Sequence, residues 1–198
     1  MFLNRNNTTT DWRKMVDLLL FITSVIGLRD PHGKGHSNHV KVLSSAFGRK
    51  VDMTSAQIET LTFAAEIHDI GKIAINEFII NKPGRFTEAE YLMAQHHAQL
   101  GANLIETLGL DQPIHKIILH HHENFDGSGY PHQFKGDQIP FESRIIRITD
   151  TYDALTSNRG YRAAYSVKKA LAIMAQEHLF FDPELLEIFL QMQGGKKH

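Results

Sequence analysis

Apolar residues in this chain recur at helical spacing, and no segment shows a convincing alternation with the period of two that a half-buried strand requires. In SVKKALAIMAQEH, residues 166–178, Val167, Ala170, Leu171, Met174 and Ala175 form one stripe of the kind a helix buries against a core. Helix starts are marked in the same way. Thr54 to Gln57 (TSAQ) and Thr87 to Glu90 (TEAE) are capping-box patterns, and Asp182-Pro183 pairs an acidic N-cap with proline at the first helical position. Turn residues punctuate the chain at Asn81 to Gly84, Asp126 to Pro131 and Lys135 to Asp137. The pattern predicts an all-α fold, a single compact bundle of about eight helices, with Val51 to Ile70, Glu88 to Leu108 and Phe141 to Leu155 among the longer ones. The polar ends, residues 1–10 and 194–198, are expected to be mobile around one domain spanning 11–193.

Composition narrows the function. With 198 residues and 42% hydrophobic content the chain can bury one sizeable core. A net charge of −1, from 21 basic and 22 acidic residues without a long basic run, lacks the footprint of a duplex nucleic-acid binder. No cysteine is present, which removes disulfides, thiolate zinc sites and cysteine-ligated clusters, and fits a reducing compartment. The apolar run VDLLLFITSVIGL, residues 16–28, is shorter than the ~20 residues needed to span a bilayer. Asp11 and Asp17 stand where a signal peptide would be basic, so the run reads as a buried first helix and a cytoplasmic location is the default expectation.

Thirteen histidines are distributed unevenly, and the stretch HHHENFDGSGYP, residues 120–131, holds three in a row. Histidine is the commonest metal ligand and the side chain that titrates near neutrality, so such crowding points to metal binding or proton handling. His68 and Asp69 close an apolar helix, and Gly71 permits a turn that exposes both to one cavity. Adjacent helical residues point about 100° apart, so this pair suits two neighbouring metals with the carboxylate as bridge; His121-His122 repeats the geometry. In FESRIIRITDTYDAL one apolar stripe leaves Asp150 and Asp153 on a second face. A buried acid needs a partner, either a metal or a salt bridge to Arg144 or Arg147.

Order and spacing add a resemblance. GHS at 35–37, HDIGK at 68–72, His97 before Gly101-Ala102, HHENFDGSGYP at 121–131 and DTYDALTSNRGYR at 150–162 resemble, in sequence, the motifs of the HD-GYP phosphodiesterases of the HD superfamily, over roughly residues 18 to 190. The resemblance implies an HD-superfamily helical bundle that hydrolyses cyclic di-GMP, a bacterial second messenger, to linear pGpG or GMP. It implies two, or three, divalent metals, most often iron or manganese, with a metal-bridged hydroxide as nucleophile. By the same resemblance His36, His68, Asp69, His97, His121, His122 and Asp150 fall on metal-ligand positions, with Asp69 as the bridge. Lys72, Arg159 and Arg162 fall on phosphate-contacting positions, Lys72 with a catalytic role, and Tyr130 is the tyrosine of the GYP loop. Glu123, Asp126 and Asp153 are expected to orient ligands, and Phe125 and Tyr130 to lie beside a purine.

Departures from that pattern are His32, where a third-metal ligand would stand, and Ala98 and Gly160 in place of prolines. The remaining histidines, among them His39, His96, His120 and His132, match no ligand position. Two other functions stay open: a cyclic di-GMP sensor or scaffold docking on diguanylate cyclase domains through the GYP loop, and an enzyme acting on cyclic GMP-AMP or pGpG. No receiver or sensor sequence is recognisable, so regulation in trans or a fragment of a longer sensor protein are both expected possibilities.

Overall fold

The computed structural model describes residues 9–29, 35–110, 112–158 and 162–195, and among these there are nine α-helices and no β-strand. Their order is α1 (Thr9–Arg29), α2 (His36–Lys50), α3 (Ser55–Ile67), α4 (Glu77–Ile80), α5 (Glu88–Thr107), α6 (Gln112–His120), α7 (Phe141–Thr156), α8 (Val167–Gln176) and α9 (Pro183–Gly194). A 3₁₀ turn, Ile70–Ala74, lies between α3 and α4.

The caps sit where the side-chain chemistry places them. Thr54 and Thr87 each accept the amide three residues on, from Gln57 and Glu90, while those side chains return to the capping residue's own amide. Asp182 accepts the amides of Glu184 and Leu185 and also receives Arg144 Nη1 at 2.7 Å. The helix expected over 51–70 is shorter at both ends. Val51 still closes α2, donating its amide to Phe47, and Thr54 restarts the chain. At the other end α3 stops at Ile67, His68 and Asp69 turn, and Ile70–Ala74 tighten into a 3₁₀ turn.

Two apolar clusters hold the helices. One joins Val40 and Phe47 of α2, Leu61 and Ala64 of α3, Ile145 and Tyr152 of α7 and Phe189 of α9. The other joins Leu19 and Ile26 of α1 with Ile67, Ile70, Ile105, Ile114 and Ile118. Helices α3 and α6 contribute to both, so their C-terminal ends emerge between the two clusters. Each buried Leu, Ile or Phe contributes roughly 1.5–3 kcal/mol, so these shared helices are strongly constrained. Helix α1 is buried on one face only, since Phe21 is 66% and Leu28 82% exposed. No helix among the described residues is long and apolar enough to cross a membrane.

Two glycines set the approach of the elements that carry the site. A Cβ on Gly71 would lie 1.9 Å from the His97 carbonyl oxygen and 2.4 Å from the Gly101 amide nitrogen. Glycine is required there for helix contact rather than for the turn conformation expected from its place after His68-Asp69. Gly129 instead lets the loop after α6 fold back on its own start, where a Cβ would meet Asn124 N at 2.2 Å.

Candidate metal centre and cleft

Five elements converge on Asp69. It follows the end of α3, with His68 beside it; His36 opens α2, His97 lies in the middle of α5, His121 and His122 follow α6, and Asp150 lies on α7. Two ligand groups result, one of Asp69, His97, His121 and His122 and one of His36, His68 and Asp69, and within each the ligand atoms lie within 4.8 Å of one another. Asp69 belongs to both. Its Oδ1 faces His97 Nε2 at 3.4 Å, whereas Oδ2 faces His68 Nε2 at 3.4 Å and His36 Nε2 at 3.7 Å. One oxygen thus turns toward each group, which is the disposition of a bridging carboxylate.

Three histidines are aimed by one device. Nδ1 of His68, His97 and His121 donates to the carbonyl three residues earlier, Ala65, Ala94 and Ile118, at 2.8, 2.7 and 2.6 Å. With that proton placed, Nε2 carries the lone pair, and it points into the site. His36 is aimed differently: Nδ1 lies 2.6 Å from Asp153 Oδ2, leaving Nε2 3.2 Å from Asp150 Oδ1. Asp153 also meets His39 Nδ1 at 3.2 Å.

Electrostatics favour the ligand-ready protonation states. Burial pushes His121 down to about 3, and it drives His122 well below the usual imidazole value, with the neighbouring histidines adding to both shifts. Burial opposes ionisation of Asp69, yet Lys72 and the surrounding histidines outweigh it and hold the carboxyl well below its usual value. Asp150 is likewise held low against burial by its hydrogen bond to His36. His36 is the exception: burial alone would lower it, but Asp150 and Asp153 raise it to about 9, so a cation entering there displaces a proton.

The donor set fits divalent metals. Separations of 3.3 Å between His97 and His121 Nε2, and of 3.4 Å to Asp69, are close to the ~3.4 Å edge of a tetrahedron with bonds of 2.0–2.1 Å. Imidazole and carboxylate without thiolate suit iron, manganese or zinc.

A cleft of about 480 Å³ opens beside this centre, lined by Lys72, Tyr91, His97, His122, Tyr130 and Arg147 among others. That size lies within the range of pockets that hold drug-sized ligands. Lys72 Nζ hydrogen-bonds Asp69 Oδ2 at 2.6 Å. The Tyr130 ring lies 4.9 Å from that of His122, and burial pushes its phenol up, so it enters the cleft as a neutral hydroxyl.

Arg147, weighed from sequence only as a salt-bridge partner for the α7 acids, instead enters the cleft. Its Nε donates to Asn124 Oδ1 at 2.9 Å and its Nη1 to Thr151 Oγ1 at 2.6 Å. Arg144 pairs with Asp182 and Asp137, so neither arginine neutralises Asp150. Tyr91, six residues before His97 on the same helix, also lines the cleft, and no spacing in the sequence marks it.

Other expected residues are held by their own neighbours. Arg162 lines a second pocket together with Arg147 and Asp150, where it donates to the carbonyls of Ala154, Leu155 and Ala163 at 2.7, 3.2 and 2.9 Å and lies over the Tyr165 ring. Asp126 shapes its own loop by accepting the Ser128 amide and hydroxyl. Glu123 Oε1 accepts the His132 amide at 2.8 Å and lies 3.5 Å from His120 Nδ1, away from the Asp69 groups. Tyr130 lines the cleft without Phe125, whose amide and carbonyl bind Phe180 and Gly136. His32 and Arg159 lie outside the described residues.

The chain is similar to known proteins over most of its length. The HD domain family model matches residues 21–185. The chain is 37% identical over 161 residues to a 3'3'-cGAMP-specific phosphodiesterase 3 of Vibrio cholerae, covering 81% of this chain and 35% of that protein. It is 34% identical over 160 residues to the cyclic di-GMP phosphodiesterase PA4108 of Pseudomonas aeruginosa, covering 80% and 39%. The chain therefore spans little more than a third of the length of these curated relatives. A crystal structure of a cyclic GMP-AMP-specific phosphodiesterase of V. cholerae superposes with a TM-score of 0.68 at 21% identity, covering 91% of this chain and 49% of that one, and shows the shared fold. With the family match spanning most of the chain and HHENFDGSGYP carrying the loop beside the ligand groups, this protein belongs to the HD domain family.

Proposed function

We propose that this chain is a metal-dependent phosphodiesterase domain that hydrolyses a cyclic dinucleotide, with cyclic di-GMP as substrate and cyclic GMP-AMP as the alternative. The observation that carries this reading is the pair of ligand groups sharing Asp69 on the wall of a cleft that also receives Lys72 and Arg147. His36, His68, Asp69 and Asp150 would hold one cation, and Asp69, His97, His121 and His122 the other, iron or manganese being the favoured metals. When bound, such ions supply a nucleophile at neutral pH and neutralise charge on the phosphoryl oxygens.

The protein's own groups do the rest. The Nδ1 hydrogen bonds hold three imidazoles in the ligand tautomer, and Asp153 does the same for His36. Lys72 places a point charge beside Asp69, where the attacked phosphate would lie. Arg147, braced by Asn124 and Thr151, offers a second cation to the dinucleotide backbone. Tyr91 and Tyr130 present rings to a purine, and stacking of that kind contributes about 1–3 kcal/mol per base.

The test is hydrolysis of cyclic di-GMP and cyclic GMP-AMP by protein loaded anaerobically with iron or manganese, with products separated chromatographically and metal content measured on the same sample. Turnover to pGpG or GMP is expected. Fully loaded protein that leaves both dinucleotides uncut would overturn the enzyme reading in favour of a sensor or a scaffold for diguanylate cyclase domains.

A further inference from the structure

Another constellation lies beyond the groups that share Asp69. His120, Glu123 and His132 each present a ligand atom within 4.8 Å of the other two. His120 ends α6, and the Glu123 amide donates to its carbonyl at 3.1 Å, which brings both side chains onto one side of the turn. The His132 amide reaches Glu123 Oε1 at 2.8 Å, fixing the carboxylate and drawing the chain after Pro131 toward it. Phe134 stacks on the His120 ring at 4.6 Å and 22°, which sets the imidazole plane.

These polar groups are buried without sufficient partners. His120 is 6% and Glu123 1% exposed. His120 Nδ1 and Glu123 Oε2 have no hydrogen-bond partner, although buried polar atoms normally find one. The gap between His120 Nδ1 and Glu123 Oε1 is 3.5 Å, too long for a good hydrogen bond and close to the ~3.4 Å edge of a tetrahedral site with bonds of 2.0–2.1 Å. His132 is exposed and offers the third donor together with a path for entry.

We propose that His120, Glu123 and His132 form a separate three-ligand site for a divalent transition ion of the zinc class, with water completing the tetrahedron. Two imidazoles and one carboxylate are a known zinc donor set. Such an ion fastens the end of α6 to the chain beyond Tyr130, so it clamps both ends of the loop that brings Tyr130 into the cleft. It takes no ligand from the Asp69 groups.

The experiment compares zinc equivalents retained after dialysis, by elemental analysis, in the wild-type chain, His132→Gln and the exposed-residue control His178→Gln. One equivalent fewer is expected in His132→Gln and no change in the control. Equal zinc in wild type and His132→Gln would overturn the proposal and leave His120 and Glu123 as a plain ion pair. A second comparison keeps the two kinds of site apart: the His132-dependent equivalent should persist on an Asp69→Ala background. Its disappearance there would trace the loss to the Asp69 groups and equally overturn the proposal. Thermal melting supplies an independent readout, since zinc added to chelator-treated protein should raise the Tm of wild type by more than that of His132→Gln.

Discussion

Replacing the Asp69 carboxylate tests both ligand groups at once, because Oδ1 belongs to one and Oδ2 to the other. Asp69→Ala is expected to lose metal from both and to reduce hydrolysis to background, whereas His96→Ala, on the exposed side of α5, should keep both; elemental analysis beside a turnover assay checks this. Lys72 separates charge from assembly. Lys72→Met should retain metal and lower kcat by about 10²–10³-fold, the size expected for one donor aimed at developing charge. A loss of metal on that change would show that Lys72 serves mainly to hold Asp69. The histidines and acids were legible as a set because their spacing matches a family pattern. The roles of Arg147 and Arg162 were not, because a long side chain reaches wherever its neighbours leave acceptors. Arg162 found the Ala154 and Leu155 carbonyls near the end of α7 and that of Ala163 beyond it, and Arg147 found Asn124 and Thr151 at the cleft.

Among elements, the contact between the Ile70–Ala74 turn and α5 decides how far His68 and Asp69 stand from His97. Gly71→Ala would drive a methyl into the His97 carbonyl, a clash that only backbone movement relieves. The expected cost is about 3 kcal/mol or more in denaturant unfolding, together with loss of metal from both groups, because the displaced strands of backbone carry their ligands with them. Gly84, whose Cβ position is open but whose φ of 105° strains any other residue, should cost less and spare the metal. Helix starts at Thr54, Thr87 and Asp182 could be read directly, since a cap is a local hydrogen bond between residues two or three apart. The close approach at Gly71 could not, because its partner lies 26 residues away, in another helix.

At the scale of the whole molecule, metal and pH act on the same balance. In metal-free protein His36, raised to about 9, contributes stability that is fully present below 6.5 and lost as pH rises toward 9. His121, lowered to about 3, works the other way: below 6.5 the unfolded chain takes a proton that the folded chain refuses, so stability falls as pH drops toward 3. Thermal melts of the chelator-treated protein should therefore show a maximum near pH 6.5, and a flat profile between 5 and 9 would refute the assignment. Adding metal at ~1,000 times its Kd should stabilise by about 4 kcal/mol, and at roughly 2–4 °C per kcal/mol this raises Tm by about 8–16 °C.

Local chemistry was settled by the order of residues alone: all-helical elements from apolar spacing, caps from Thr and Asp at their starts, a donor set without thiolate, and motifs that place the chain in the HD domain family. Which oxygen of Asp69 faces which histidines, which arginine enters the cleft, and that His120, Glu123 and His132 meet on a separate side were decided only by tertiary structure. The physical reason is range. Caps and periodicity act between residues a few positions apart, whereas a ligand sphere is assembled from helices brought together by two apolar clusters whose packing no short stretch specifies.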